Sequence, residues 1–230
     1  MVKTPDWQST HLPTTPPAID RGDLHVWMLD LAESPAIAPS SLSLDEKARL
    51  EKLASGQAKR RFSSSRVQTR EILAAYNNCR GGDISFSYGD KGKPCITSPA
   101  GEIEFNLSHC GDLALLAVTL DNPVGIDLEA IVPRSNARRI ARRVFDQATL
   151  EKLDQLEDKE LMPAFFQHWT AMEARVKALG GGVFDFPAEA SSLSVDSFVP
   201  CPGWVASIAA AEPLSPPDQW DLFCVQFEPA

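Results

Sequence analysis

The sequence predicts an α+β protein built from two similar α/β halves. Three observations predict it. Strand, helices and strands follow one another and then repeat in the same order; the turn Asp121-Asn122-Pro123 separates the two runs; and each run is about 110 residues long, a usual size for a small α+β unit. The 230 residues are enough to bury a core for both. A hydrophobic share of 43% beside 23% charged residues is that of a folded protein, not a disordered one.

Taken in order, residues 1–23 are rich in Pro, Thr and Asp without periodicity and read as an extended arm. Residues 24–31 (LHVWMLDL) alternate and read as the first strand. Ser43 is a natural helix N-cap, and Glu46 three residues on completes a capping box, so a helix is expected over 44–54, ending near Gly56. A second helix is expected over 59–77, with Phe62, Val67, Ile72, Leu73 and Tyr76 on one side and Gly81-Gly82 breaking it. Short strands follow at 84–88, 102–107 and 113–120, and after the turn at 124–129. Helices are expected over 134–144, 147–156 and 159–179, the last stopped by Gly180-Gly181-Gly182. Strand-like runs at 192–199, 204–211 and 220–227, punctuated by prolines, complete the chain. The expected division is thus an arm over 1–23, an N-terminal half over 24–122 and a C-terminal half over 123–230.

Composition removes several function classes. Thirty-one acidic against 22 basic residues give a net charge of −9, which argues against a nucleic-acid partner and against an anionic membrane surface. The longest plain apolar stretch, 113–118, is too short to span a bilayer. The N-terminus has no apolar core after a positive start, so no signal peptide is expected and the protein reads as cytoplasmic. Five scattered cysteines without a Cys-x-x-Cys pair argue against a disulfide framework or a zinc site. His11, His25, His109 and His168 show no metal-ligand spacing.

Three clusters carry candidate chemistry. Asp127-x-Glu129 sits on an expected strand, where alternation turns both carboxylates to one face; two hard oxygen donors so placed suit Mg²⁺ held together with a phosphate. Taken alone, two acids on an exposed strand face are the commoner explanation. Glu173 lies in FFQHWTAMEARVKAL (165–179), a helix with a strong apolar face, four residues before Lys177. An ordinary i, i+4 ion pair would account for the spacing, but a carboxylate beside Trp169 and Met172 lies at a core edge, and a buried charge needs a partner. The third cluster is Gly89-Asp90-Lys91-Gly92-Lys93-Pro94 with Asn106-Leu107-Ser108-His109, groups that can cradle phosphate or be plain turns. There is neither a Walker A sequence nor a GxGxxG fingerprint.

Together the clusters resemble one family. Gly92-Lys93-Pro94, Phe105-Asn106-Leu107-Ser108-His109, Val124-Gly125-Ile126-Asp127-Leu128-Glu129 and Trp169-x-x-x-Glu173-Ala174-x-x-Lys177-Ala178-x-Gly180 stand in the order and spacing of Sfp-type 4′-phosphopantetheinyl transferases. Arg61-Phe62-x-x-x-Arg66-x-x-x-Arg70 is similar to the basic helix of that family, and His25-Val26-Trp27 to its opening strand. The resemblance covers roughly 24–185.

The resemblance implies two α/β halves in a pseudo-twofold arrangement, as in the 4′-phosphopantetheinyl transferase fold, within a monomer. It implies an enzyme that transfers the 4′-phosphopantetheine of coenzyme A to a serine of an apo acyl or peptidyl carrier protein, releasing adenosine 3′,5′-bisphosphate. By the same resemblance Asp127, Glu129 and Glu173 bind Mg²⁺, with Mn²⁺ as the alternative. Arg66, Arg70, Lys93, Ser108 and His109 contact the nucleotide, and Lys177 the pyrophosphate. Glu173, or a water held by the ion, accepts the serine proton, while Lys177 neutralises charge at the β-phosphorus. The chain departs from the family at Met172, where Lys is usual, with Arg175 as a candidate substitute cation; at Cys110, where Ser is common; and at Arg175 itself, usually aromatic. Met172 motivates a rival reading, a weakened relative that binds coenzyme A or a carrier without efficient transfer. Bare carboxylates motivate another, a Mg²⁺-dependent phosphohydrolase.

The charge is also unevenly spread. Residues 56–70 and 132–144 hold ten of the 22 basic residues and no acid, leaving twelve basic against 31 acidic residues elsewhere. The first stretch is expected to serve coenzyme A in part. The second, through Arg138 and Arg142, is expected either to dock an acidic carrier or to be a solvated helix face.

Overall fold

Two antiparallel three-strand units of identical strand order organise the computed structural model, which describes residues 5–15, 17–32, 41–181, 190 and 192–226. The strands are β1 (Gln8–Thr10), β2 (His25–Asp30), β3 (Ser85–Tyr88), β4 (Pro94–Ser98), β5 (Ile103–Cys110), β6 (Leu113–Leu120), β7 (Val124–Ala130), β8 (Val195–Phe198), β9 (Trp204–Ala210) and β10 (Asp221–Val225). The helices are α1 (Leu44–Lys52), α2 (Gly56–Tyr76), α3 (Ala137–Val144), α4 (Gln147–Asp154) and α5 (Asp158–Ala178). The first unit is ordered β2-β6-β5 and the second β7-β9-β8, so in each the third strand in sequence lies in the middle. In each, the helices fall between the first and second strands, and one of them has 21 residues: α2 in the first unit, α5 in the second. This is the α+β architecture of two similar halves that the element order predicts.

The division is not clean at the chain ends. β10 runs parallel to β2 in the first sheet, and β1 runs parallel to β10, giving a five-strand order β1-β10-β2-β6-β5. The last strand of the C-terminal half therefore completes the sheet of the N-terminal half. The arm is not wholly extended loop either: Gln8–Thr10 is an edge strand, and the indole Nε1 of Trp7 donates to the Pro200 carbonyl at 2.9 Å. A polar Gln-Ser-Thr segment carries no alternation signal, because an exposed edge strand is held by its ladder alone.

Other boundaries move for identifiable reasons. Gly56 does not end the first helix but begins α2, since the Ser55 hydroxyl caps the Ala58 amide at 3.1 Å. The capping box at Ser43 and Glu46 forms as expected. The loop 89–94 closes a β3–β4 hairpin whose second strand, starting at Pro94, is too short and too proline-bound to read from the sequence. The third helix begins at Ala137, not 134. Gly182 and residue 227 lie outside the described residues.

Strand alternation splits the core. Val26, Leu115 and Ala117 of the first sheet meet Ile126, Leu128, Ala206 and Ile208 of the second between the two sheets. Trp27, Leu29, Leu116, Val118 and Phe105 point the other way and meet Ile72 and Leu73 of α2. On the outer face of the second sheet, Ala174 and Ala178 of α5 pack on Ala209 of β9.

Gly125 sets how closely α5 can lie on β7. A Cβ built there would overlap the Ala174 carbonyl oxygen and the Ala178 amide nitrogen, and would stand 2.9 Å from the Lys177 carbonyl carbon. These are backbone atoms of a helix and cannot swing aside. Gly125→Ala should lift α5 off the sheet and destabilise the protein by about 3 kcal/mol, the upper range for overpacking; the urea midpoint compared with that of wild type checks it.

Candidate active site

The polar face of β7 and the facing side of α5 build the site together. Gly125, Asp127 and Glu129 alternate with Ile126 and Leu128, so burying the apolar pair between the sheets turns the acids toward α5. On α5, Glu173 and Lys177 are one turn apart, interleaved with Ala174 and Ala178, whose small side chains allow the close approach.

Lys177 Nζ donates to Asp127 Oδ1 at 2.6 Å and to Ser108 Oγ at 3.2 Å. Ser108 in turn donates to Asp127 Oδ1 at 3.0 Å and accepts from the Leu128 amide at 3.3 Å. Asp127 and Glu173 are 6% and 9% exposed, so these charges stand largely out of water. Burial, reinforced by the neighbouring Asp127 charge, pushes Glu173 up to about 7 despite the opposing ammonium of Lys177. Burial and Asp127 likewise raise Glu129, against the pull of Arg134. The Arg134 guanidinium lies 5.5 Å over the Phe166 ring.

These are three carboxylates with too little positive charge among them. As the side chains stand, no three acid, histidine or cysteine groups among the described residues are gathered into a ligand set, and Lys177 occupies the place beside Asp127 Oδ1. The donor set nonetheless fits a hard cation. All three are oxygen ligands, Asp127 Oδ2 is buried without a hydrogen-bond partner, and a divalent ion would reverse the penalty that holds Glu173 near neutrality.

The remaining residues expected in the site do not all reach it. Ser108 is buried between β5 and β7, fixing Asp127, rather than facing a nucleotide. His109 is its strand neighbour and points to the opposite face, toward α2. Partial desolvation and the charges of Lys177, Arg66 and Arg61 hold its imidazole below the ordinary range, so a cationic zone exists there. Arg66 stacks over Phe62 at 5.7 Å, as Arg49 does at 5.3 Å, and stands 3.9 Å from Glu46.

Arg70 is enclosed by its neighbours. It is 2% exposed, with Nε on Glu46 at 2.7 Å and Nη1 on the Gly81 and Ile84 carbonyls at 3.0 and 2.6 Å, and its guanidinium lies over Phe86. Its Nε and Nη1 are thus committed to holding the end of α2 and the segment that follows it. The Lys93 ammonium donates to the Val124 and Ala178 carbonyls at 3.1 and 3.0 Å. Arg175 does not replace the missing lysine at Met172, since its Nε donates to the Leu193 carbonyl at 3.0 Å. Met172 itself is buried. Cys110 keeps a place at the site edge, 3.8 Å from Glu129 Oε2.

Two residues do something other than their clusters suggested, phosphate contact for Asn106 and carrier docking for the stretch that holds Arg134. Asn106 Oδ1 accepts from the Ile126 amide at 3.0 Å, and its spacing of two from Ser108 was the available signal. Arg134 bears on Glu129, which only folding reveals.

Two family models match the chain: "4′-phosphopantetheinyl transferase superfamily" over residues 123–204, and "4′-phosphopantetheinyl transferase, N-terminal" over residues 31–121. The 4′-phosphopantetheinyl transferase HetI of Nostoc sp. is 33% identical over 224 residues, covering 89% of this chain and 94% of its own. AcpT of Salmonella typhimurium is 36% identical over 113 residues, 49% of this chain and 55% of its own. Sfp of Bacillus subtilis is 29% identical over 171 residues, 66% and 74%. AcpT and Sfp bear the same enzyme name.

The crowded carboxylates make a stability prediction. A carboxyl whose pKa is higher in the folded than in the unfolded state opposes folding once pH exceeds the unfolded value, here 4.5, and fully so above about 7. Glu173→Gln should therefore stabilise the metal-free protein at pH 8 by on the order of 2 kcal/mol, with the gain gone below pH 4.5; urea melts of both proteins at each pH check it.

Proposed function

The chain belongs to the 4′-phosphopantetheinyl transferase superfamily, and we propose that it moves the 4′-phosphopantetheine of coenzyme A onto a serine of an apo acyl or peptidyl carrier protein. The observation that carries this reading is the meeting of Asp127, Glu173 and Lys177 on two elements whose backbones touch.

Asp127, Glu129 and Glu173 would hold Mg²⁺, which when bound supplies positive charge to the pyrophosphate of coenzyme A. The chain's own groups do the rest. Lys177 adds a second positive charge at the β-phosphorus, where negative charge builds as the serine oxygen arrives. Glu173 takes the serine hydroxyl proton on a carboxylate oxygen that the ion leaves free. The new serine O–P bond forms as the bond from the β-phosphorus to the bridging oxygen breaks, and adenosine 3′,5′-bisphosphate leaves. Arg66 gives the nucleotide phosphates a cationic contact beside the site, next to the uncharged ring of His109, while Arg61 is tied to Asp112 at 2.6 Å. Ser108 orients Asp127, not the nucleotide.

For the carrier we take α3. Arg139, Arg142 and Arg143 are exposed on it, whereas Arg138 is tied to Asp154 at 2.9 Å. Val132, 49% exposed, lies between β7 and this basic surface. An acidic carrier would find complementary charge there, close to the reacting groups. All these residues come from one chain, so a monomer suffices. Five free cysteines suit a reducing, cytoplasmic setting, and no helix among the described residues is long and apolar enough to cross a membrane.

Incubating an apo carrier with coenzyme A, Mg²⁺ and the protein should add one phosphopantetheinyl mass to the carrier, and Asp127→Ala should abolish the addition in a folded protein. Cleavage of coenzyme A with an unlabelled carrier would instead mark a hydrolase, and an unchanged carrier with intact coenzyme A a mere binder. Reversing Arg139 and Arg142 to Glu should raise the KM for carrier roughly tenfold while the KM for coenzyme A stays constant; an unchanged carrier KM sinks the docking assignment.

A further inference from the structure

Polar accounting at the end of α5 leaves one carbonyl to a side chain from elsewhere in the fold. The Arg175 carbonyl accepts from the Leu179 amide at 3.4 Å, that of Val176 from Gly181 at 2.9 Å and that of Lys177 from Gly180 at 3.1 Å. Gly180, at φ +69°, permits this reversal. The Ala178 carbonyl is taken by Lys93 Nζ at 3.0 Å.

The outward edge of β7 shows the same pattern. Among the described residues no strand pairs with it on that side, and its groups are met by side chains instead. The Ile126 amide goes to Asn106, the Leu128 amide to Ser108 and the Ile126 carbonyl to Lys177 at 3.4 Å. The Val124 carbonyl goes to Lys93 Nζ at 3.1 Å. One ammonium therefore joins the residue before Gly125 to the residue after Lys177, at the flank of the backbone contact that brings the reactive groups together.

We propose that Lys93, carried on the β3–β4 hairpin, is a positioning residue that pins the C-terminal end of α5 to the start of β7 and so holds Lys177 and Glu173 against Asp127. A cation at a helix C-terminus is favoured by the exposed carbonyls, and its two acceptors lie on the two elements that must not separate. Val124 and Ala178 are 54 residues apart in sequence, so no local interaction can do this. Deprived of Lys93, the last turn of α5 frays; Lys177 then leaves Asp127 for part of the time, while Arg66 and His109 keep their places. The kinetic part of the inference rests on the transferase reading; the structural part does not.

Lys93→Met keeps the stem and removes the donors, and Lys93→Arg restores donors. Amide hydrogen exchange on the ligand-free proteins should show protection over 176–181 falling about tenfold or more in Lys93→Met, with residues 161–170 unchanged and Lys93→Arg restoring most of the loss. With carrier and coenzyme A, kcat should fall about tenfold at constant KM for coenzyme A, again recovered by Lys93→Arg. Unchanged exchange at 176–181 overturns the proposal, as does a raised KM for coenzyme A with unchanged kcat, the mark of a direct phosphate contact. If Lys93→Met does not fold, Lys93→Gln, with one donor arm, is judged by the same two criteria. Should the wild-type protein transfer nothing, the transferase reading fails, and hydrogen exchange alone still decides the staple.

Discussion

Everything in the site depends on the backbone of α5 lying directly on β7 at Gly125. The absent side chain lets the carbonyl of Ala174 and the amide of Ala178 come into contact with the strand. That contact places Glu173 and Lys177 over Asp127 and Glu129, because side chains one turn apart on a helix span about the same distance as alternate residues on a strand. A larger residue would hold the two rows of charges apart without altering either row. The polar groups around the contact are then occupied by side chains: Lys93, Asn106, Ser108 and Lys177 together cover the unpaired edge of β7. A bare sheet edge inside a fold would leave amides and carbonyls without partners, and here the groups that cure this also fix the geometry of the site.

The arrangement carries an electrostatic strain. Three carboxylates share a poorly hydrated region with one lysine, and the strain is visible as the proton affinity of Glu173, pushed up to about 7. In the folded chain alone this opposes stability. Toward a cation it is useful, since the same excess charge draws a divalent ion into the site. The residue best suited to chemistry is thus among the least favourable for folding, a common exchange at active sites.

Net charge misleads in a similar way. The total of −9 argues against nucleic acid as a partner, yet ten basic residues sit in two acid-free stretches. Folding assigns them unequal roles. Arg70 goes inside to pair with Glu46, and Arg138 pairs with Asp154, whereas Arg139, Arg142 and Arg143 remain exposed on α3 and Arg61 and Arg66 gather near His109. A count of charges along the chain cannot separate these cases, because a buried arginine and a docking arginine have the same letter and similar neighbours.

Element order, the α+β class with two similar halves and the membership of the charged cluster were legible in the sequence. Those follow from local rules: alternation on β7, the apolar stripe of α5, the capping box at Ser43 and the glycine stop after α5. It did not determine which side of the chain each polar group serves. Ser108 and His109 are adjacent in a motif but on opposite faces of β5; Lys93 and Arg70 look like phosphate ligands but meet backbone carbonyls; and β10 crosses into the sheet of the other half. Those outcomes were decided only in the tertiary structure. Each satisfies a buried acceptor, or a strand edge, whose existence depends on which distant segments have already come together.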